Sequence, residues 1–315
     1  MYEKWKGVHT RCAFNMIQEL IPLTRPRTLA AALGPTILGA AFSYYAFGAA
    51  QGTGLAIFHT MLIFLAVVTA QIVANLWNEY KDFKSGLDAG QKVGNAGSIT
   101  RGVITPELII TMIKALMFVP IIIGLYLSAT ITWYYIPVGF LCILISFLYS
   151  GGPKPISRTP FGEISSGIAM GFAIVLITGY AWIRELSLAL LIPAIPSTLL
   201  VGSIMLTNNI RDIRNDESHG RHTLPIMLGR ERALSLMSIS YIFNFIWIIA
   251  WIIVGHMTWF ALLAFLAAPL AFKTIHTLST NTDEFQLDKA MGTTAGAAMI
   301  YQLMWAIGLI MGKLF

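Results

Sequence analysis

The chain has 315 residues, of which 56% are hydrophobic and only 11% are charged. Soluble domains carry roughly 25% charged residues, so this composition, with a mean hydropathy of +0.71, excludes a soluble globular protein and predicts a polytopic membrane protein. The net charge of +6 is typical of an excess of Lys and Arg on the cytoplasmic side of a membrane, and we expect no nucleic-acid partner.

Nine apolar segments follow one another along the chain and predict an all-α protein with nine transmembrane helices. They comprise residues 29–50, 54–78, 108–128, 131–150, 162–183, 187–208, 234–255, 258–272 and 292–312. We expect residues 1–315 to form a single domain. Residues 1–27 precede the first span, and their stretch CAFNMIQELIPL predicts a short helix that lies along the membrane interface.

The distribution of basic residues predicts the orientation in the membrane. If the N-terminus is cytoplasmic, all but three of the 21 Lys and Arg residues fall on the inside. Of the exceptions, Arg184 and Lys313 fall outside and Lys114 lies within the third span. This asymmetry follows the positive-inside rule. It predicts an odd number of spans with the C-terminus outside.

The second span ends in an acidic cluster with the sequence NLWNEYKDFKSGLD. Three polar residues follow Asn75 at spacings of three, four and seven positions: Asn78, Glu79 and Asp82. The four residues therefore share one face if the helix continues. Asp88 follows on a loop that can fold back after a glycine. We treat residues 75–107 as the first of two cytoplasmic loops that cap a site.

The sixth span ends in a second cluster, which lies in LTNNIRDIRNDESHGRHTLP. Asn208, Asp212 and Asp216 are spaced at i, i+4 and i+8 and would again share a helical face, with Arg211 and Arg221 nearby. Residues 208–233 form the second predicted loop, on the same side of the membrane as the first. The acidic residues after the eighth span lack this spacing, and we interpret them as a solvated loop: Asp283, Glu284 and Asp288.

Two clusters of carboxylates on one membrane face predict a bound cation, because like charges at turn spacing otherwise repel. Oxygen ligands suit Mg²⁺, which keeps several waters and is often completed by substrate phosphates, while Arg and Lys bind the remaining phosphate oxygens. The pattern therefore predicts a diphosphate site at the mouth of a hydrophobic cavity. The alternative is that the charges only solvate two juxtamembrane loops. His59 stands alone in an apolar span and is interpreted as a packed or interfacial residue.

With these motifs, the sequence resembles the UbiA superfamily of intramembrane aromatic prenyltransferases. The first family motif matches Asn78, Glu79, Asp82 and Asp88, with Glu79 in a place usually held by Asp, and the second matches Asn208, Asp212 and Asp216. Within the superfamily, the sequence is most similar to the branch that prenylates 1,4-dihydroxy-2-naphthoate in menaquinone synthesis. The stretches that carry this similarity are RPRTLAAALGPTILGAA, NEYKDFKSGLD, SITRGVITPE, LYSGGPKPISRTPFGE and NNIRDIRNDESHGRHTLPIMLG.

The resemblance implies Mg²⁺-dependent transfer of a polyprenyl chain from its diphosphate to dihydroxynaphthoate, with loss of carbon dioxide, in a bacterial plasma membrane. The residues expected to hold the metal are Glu79, Asp82, Asp88, Asp212 and Asp216. Those expected to bind substrate are Arg27, Asn75, Asn78, Lys154, Arg158, Asn208, Arg211 and Arg221. Tyr149 would face the allylic cation through a cation–π contact, or would serve only as an interfacial tyrosine.

Three other functions remain open from the sequence. The same superfamily includes enzymes with other acceptors: para-hydroxybenzoate, homogentisate, haem or a glycerol lipid. An ion-coupled transporter would place its carboxylates near the bilayer midplane, whereas here Glu163, near the start of the fifth span, is the one acidic residue within a span. A purely structural membrane scaffold would leave both acidic clusters without a role.

Overall fold

The computed structural model describes residues 21–86 and 97–315, and these residues form helices and connecting turns without a β-strand. The predicted all-α class is therefore confirmed. Most of the predicted interfacial segment at residues 1–27 lies outside the described residues, and so does Asp88.

Eleven helices are labelled here in chain order. Their bounds are α1 Pro26–Phe47, α2 Thr53–Ser85, α3 Pro106–Thr130, α4 Tyr135–Ser150, α5 Gly162–Ile183, α6 Leu191–Arg211, α7 Ile213–Ser218, α8 Leu224–Leu228, α9 Arg230–Ile253, α10 Trp259–Thr280 and α11 Glu284–Leu314. Short 3₁₀ turns precede α5 and α6 at Ile156–Arg158 and Leu188–Leu190, and α10 begins with a 3₁₀ stretch at Trp259–Ala267.

Each of the nine predicted spans overlaps one helix of the described chain. Eight of these helices are long and apolar enough to cross a membrane, which makes the protein an integral membrane protein. The remaining one, α4, is a shorter apolar helix of 16 residues, less than the roughly 20 residues that a perpendicular span needs. The described residues thus contain eight helices of spanning length, against nine predicted spans.

Local sequence sets the helix ends that matter for the site. Gly86 ends α2 in the left-handed conformation (φ 75°), which glycine adopts without steric cost. The Thr105 hydroxyl accepts a hydrogen bond from the Leu108 N–H at the start of α3. The Asp283 carboxylate caps α11 by accepting from the Gln286 N–H at 3.1 Å, a usual role for Asp at this position.

Helices α1, α6 and α11 form the centre of the molecule, with α10 and α5 packed against them. Small residues let the backbones approach closely, as is common between membrane helices. A Cβ added at Gly308 of α11 would lie 2.2 Å from the Phe260 carbonyl oxygen of α10. Helices α3 and α9 keep large apolar side chains exposed on their outer faces, as expected for surfaces that contact lipid.

Candidate active site

A cavity of about 340 Å³ opens among α1 to α7 and α11. One end is lined by charged and amide side chains from both acidic motifs, and the other end is apolar. Along α2 the lining extends from Asp82 to Ile63, which is about 28 Å at a helical rise of 1.5 Å per residue. The lining therefore extends over a length similar to the hydrocarbon thickness of a bilayer, roughly 30 Å.

The first acidic motif lies on α2 itself, because the helix continues beyond the apolar run as far as Ser85. Asn75, Asn78 and Asp82 line the polar end of the cavity. The Asn75 amide donates to the Thr24 carbonyl oxygen at 2.8 Å, and the Asn78 amide donates to the Ser150 hydroxyl at 3.0 Å. Both asparagines thus fix neighbouring segments around the cavity as well as facing it.

Glu79 is not among the residues that line the cavity in the described structure, and its place among the metal ligands stays a prediction. At 100° per residue it lies about 100° around the helix from Asn78 and turns toward the loop that precedes α3. Its Oε1 accepts hydrogen bonds from the N–H groups of Gly97 (2.9 Å) and Ser98 (2.7 Å). The side chain is buried, and its Oε2 has no hydrogen-bond partner among the described residues.

The second acidic motif is not one continuous helix, contrary to the prediction. Helix α6 ends at Arg211, Asp212 connects it to the short helix α7, and Asp216 lies within α7. Nevertheless Asn208, Asp212 and Asp216 all line the cavity. The structure therefore brings the two motifs to the same polar end.

Arg221 joins the two motifs. Its Nη2 lies 3.0 Å from Oδ1 of Asp82, and its Nη1 lies 3.3 Å from Oδ1 of Asp216. Burial raises the pKa of Asp216 to about 7, although the positive charge of Arg221 acts in the opposite direction. The second carboxylate oxygen of Asp216 is buried without a hydrogen-bond partner in the described part of the chain.

A second ion-pair network surrounds Asp288. Arg211 contacts Asp212 (2.7 Å) and Asp288 (2.8 Å), and Arg27 contacts the other oxygen of Asp288 at 2.7 Å. The prediction that Asp288 belongs to a solvated loop was wrong, because α11 begins at Glu284 and carries this carboxylate into the cavity wall. Asp288 lacks the spacing from asparagines that the two motifs show, so the sequence contained no signal that it belongs to the site.

Arg25 is a further residue of the polar end that the sequence did not single out. It lines the cavity and interacts electrostatically with Asp82 and Glu79. It adopts the left-handed conformation (φ 49°) directly before α1. Such a conformation is costly for a residue with a side chain and often occurs at functional sites. In the sequence, the signals that could have indicated this role were Pro26, which follows directly, and the stretch RPR that begins at Arg25.

Three other predicted site residues lie around the loop that connects α4 and α5. Tyr149 lines the cavity, and its hydroxyl has no hydrogen-bond partner among the described residues. Arg158 interacts electrostatically with Asp82, and its carbonyl oxygen accepts from the His222 N–H at 3.0 Å. Lys154 is exposed and does not line the cavity.

The residues at the polar end fit a hydrated divalent cation. Carboxylate and amide oxygens are the donors that Mg²⁺ prefers, and the buried oxygen of Asp216 without a partner gives it a free ligand. Within residues 21–86 and 97–315, no three His, Cys, Asp or Glu side chains are grouped closely enough to hold an ion by themselves. A cation here would therefore complete its coordination with water and with oxygens of a bound substrate.

Taken together, the fold and site define an integral membrane protein that presents acidic and basic groups at the mouth of a long apolar cavity. A model of the UbiA prenyltransferase family matches residues 32–307, and the chain belongs to this family. It is a prenyltransferase.

Curated relatives cover nearly the whole chain. The 1,4-dihydroxy-2-naphthoate octaprenyltransferase of Bacillus subtilis (strain 168) is 35% identical over 303 residues, which are 94% of this chain and 93% of that protein. The enzyme of the same name from Mycobacterium tuberculosis is 29% identical over 297 residues, 92% of this chain and 96% of that protein.

Solved structures show the same fold. A UbiA homolog from Aeropyrum pernix K1 superposes with a TM-score of 0.66 at 17% identity and covers 90% of this chain and 97% of its own. A UbiA homolog from Archaeoglobus fulgidus bound to GPP and Mg²⁺ superposes with a TM-score of 0.61 at 16% identity, over 90% of this chain and 98% of its own.

Proposed function

We propose that the protein transfers a polyprenyl group from polyprenyl diphosphate to 1,4-dihydroxy-2-naphthoate in a Mg²⁺-dependent reaction that yields demethylmenaquinol. The observation that carries the proposal is the convergence of both acidic motifs, joined by Arg221, at the polar end of an apolar cavity. The names of the relatives at 35% and 29% identity support this acceptor. In the reaction, the carbon–oxygen bond of the allylic diphosphate breaks, a carbon–carbon bond to the ring forms, and the ring carboxylate leaves as carbon dioxide.

The metal would be held by Asp82, Asp212 and Asp216, together with Asp88, which lies outside the described residues. Bound Mg²⁺ neutralises the diphosphate and makes it a better leaving group. A UbiA homolog of the same fold was solved with GPP and Mg²⁺, which supports this cofactor.

Arginines at the polar end bind the diphosphate oxygens in this proposal. Arg221 and Arg211 now pair with carboxylates, and their guanidinium groups can also donate to phosphate oxygens in a bidentate manner. Arg25 is placed on the same wall. Positive groups that are fixed before the reaction stabilise the charge that develops on the departing diphosphate. Asn78 and Asn208 orient this end of the cavity. Arg27 also lines the cavity and Arg158 interacts electrostatically with Asp82, whereas Lys154 is exposed and does not line the cavity.

The apolar part of the cavity holds the prenyl chain and keeps water away from the allylic cation. Tyr149 lines the cavity, and its ring can stabilise the cation by a cation–π contact, worth about 2 kcal/mol or more when desolvated. The ring of the acceptor then attacks the cation. Because one substrate is a lipid, the site must open within the bilayer.

We further propose that residues 1–315 act as one domain in a bacterial plasma membrane, with the N-terminus cytoplasmic and the C-terminus outside. The asymmetry of Lys and Arg supports this orientation. It places both acidic motifs on the cytoplasmic side, where soluble dihydroxynaphthoate would reach them.

The experiment uses purified protein in detergent with a polyprenyl diphosphate, dihydroxynaphthoate and Mg²⁺, and follows prenylated naphthoquinol by mass and diphosphate release separately. The variants are Asp82→Asn and Asp212→Asn, and the matched control is Asp283→Asn, because Asn also caps helices well. We expect a decarboxylated, Mg²⁺-dependent product from the wild type and the control that is lost in both site variants. Diphosphate release without naphthoquinol would contradict the acceptor, and the absence of both products in folded protein would contradict the proposed reaction.

A further inference from the structure

Glu163 is a buried carboxylate that the proposed reaction does not use. It lies in the first turn of α5, with 4% of its surface exposed. Its Oε1 accepts a hydrogen bond from the Asn209 side-chain amide at 2.8 Å, and its Oε2 has no partner among the described residues. An ionisable side chain buried within a membrane segment is costly, so its retention favours a functional role.

The pair formed by Glu163 and Asn209 lies on two helices that are in direct backbone contact. A Cβ added at Gly167 would lie 2.5 Å from the Thr198 carbonyl oxygen, and one at Gly171 would lie 2.6 Å from that of Ser197. Both glycines belong to a π-helical segment of α5, Gly167–Phe172. Such segments are rare and often occur at functional sites. This close packing holds Glu163 against α6 and leaves little freedom for the pair to move.

Asn209 connects this buried carboxylate to the cavity. It is itself buried, yet it lines the cavity wall. The Asn209 side chain donates its NH₂ group to Oε1 of Glu163, and this hydrogen bond sets the direction of the amide. The amide oxygen of Asn209 must then face away from Glu163.

The position of Asn209 differs from that of its neighbour in sequence. Asn208 accepts from Arg211 at 2.9 Å and thus belongs to the charged network. Asn209 instead pairs with α5, close to the end of α4 that carries Tyr149. The Tyr149 hydroxyl lies 3.6 Å from a Cβ added at Gly162, the residue next to Glu163. The Tyr149 hydroxyl, which is buried without a hydrogen-bond partner among the described residues, therefore lies on this part of the wall, beside the start of α5.

We propose that Asn209 binds the aromatic acceptor by accepting a hydrogen bond from a ring hydroxyl, and that Glu163 is the positioning residue that fixes the direction of its amide. The inference rests on the proposed function, because it assigns the acceptor part of the same site. The ligand class is an aromatic ring with a free hydroxyl group. An ether at the same position cannot donate this hydrogen bond, and it leaves the amide oxygen unpaired.

The test uses Glu163→Gln, which keeps the size of the side chain. A glutamine can both donate and accept, so the Asn209 amide is no longer forced into one direction. We expect the KM for the acceptor to rise about tenfold while the KM for prenyl diphosphate stays within about twofold, as a tenfold change corresponds to one hydrogen bond of about 1.4 kcal/mol. The control is Thr178→Val on the same helix, since Thr178 is buried and does not line the cavity.

A second readout distinguishes orientation from general damage. An O-methyl ether of the acceptor should inhibit the wild type weakly and Glu163→Gln more strongly, because the freed amide can turn its NH₂ group toward the ether oxygen. Equal changes in both KM values, or an unchanged preference for hydroxyl over ether, would overturn the inference. The wild-type rate with dihydroxynaphthoate tests the proposed function separately, and the hydroxyl-to-ether preference is measured with whichever hydroxylated ring the wild type prenylates.

Discussion

Arg221 lies between Asp82 and Asp216, which are 134 positions apart in the chain, and its guanidinium group contacts both carboxylates at 3.0 Å and 3.3 Å. All three side chains are largely buried. The arginine therefore neutralises two carboxylates that would otherwise repel each other at the place where a divalent cation is proposed to bind. It links the two acidic motifs.

Replacing Arg221 should therefore have separate effects on stability and on catalysis. We expect Arg221→Gln to lower kcat by about 10²–10³-fold, the usual loss when one preorganised donor to a developing negative charge is removed. We also expect it to destabilise the fold, because leaving a buried carboxylate without its partner costs about 3–5 kcal/mol. Mg²⁺ should raise the melting temperature of this variant more than that of the wild type, since a ligand stabilises the state that binds it.

Thermal unfolding in detergent with and without Mg²⁺ checks this expectation. Arg214→Gln is the matched control, because Arg214 lies on the same short helix as Asp216 and is exposed. If the melting temperature of Arg221→Gln equals that of the wild type without Mg²⁺, the two contacts do not stabilise the buried carboxylates.

The sequence predicted those parts of the structure that depend on local pattern. Apolar runs indicated the long helices, and the spacing within the two motifs predicted that Asp82, Asp212 and Asp216 belong to one site. It could not predict which side of α2 faces the loop before α3, because the Glu79 contacts come from residues 18 and 19 positions later. Asp288 was missed for a similar reason, since its partners Arg27 and Arg211 are brought to it only by the packing of α11 against α1 and α6.

Glu79 should act on the loop at residues 97–99 and not on the metal. We expect Glu79→Ala to speed amide hydrogen exchange at Gly97 and Ser98 by about tenfold or more, because hydrogen bonds to a charged group contribute about 1.5–3 kcal/mol. Glu79→Gln keeps an acceptor oxygen and should retain most of the protection. Neither variant should change the Mg²⁺ concentration that gives half-maximal activity. A large increase in that concentration for Glu79→Gln would instead support the metal-ligand role that the motif predicted.

The two partners of Asp288 should differ in importance. Arg211 is buried and also contacts Asp212, whereas the side chain of Arg27 is 51% exposed. We expect Asp288→Asn to lower kcat/KM for prenyl diphosphate by about 10–100-fold, as is typical when a group that orients a site residue is changed. Arg27→Gln should have an effect of less than about threefold, since exposed ion pairs contribute little. Steady-state kinetics on both variants measures the difference, and equal losses would show that Arg27 binds substrate directly.

The apolar part of the cavity offers a direct test of where the prenyl chain lies. Gly139 of α4 lines the cavity, and a Cβ added there meets no atom within 4 Å, so a larger side chain can enter the free space. We expect Gly139→Leu to raise the KM for long polyprenyl diphosphates by about tenfold or more and to leave the KM for short ones unchanged, because the added volume removes room that the chain needs.

Gly54→Leu is the matched control, since Gly54 is equally open but is exposed at the start of α2 and outside the cavity wall. Kinetics with diphosphates of two chain lengths separates the outcomes, because a loss that is equal for both lengths would mean that the chain does not pass Gly139.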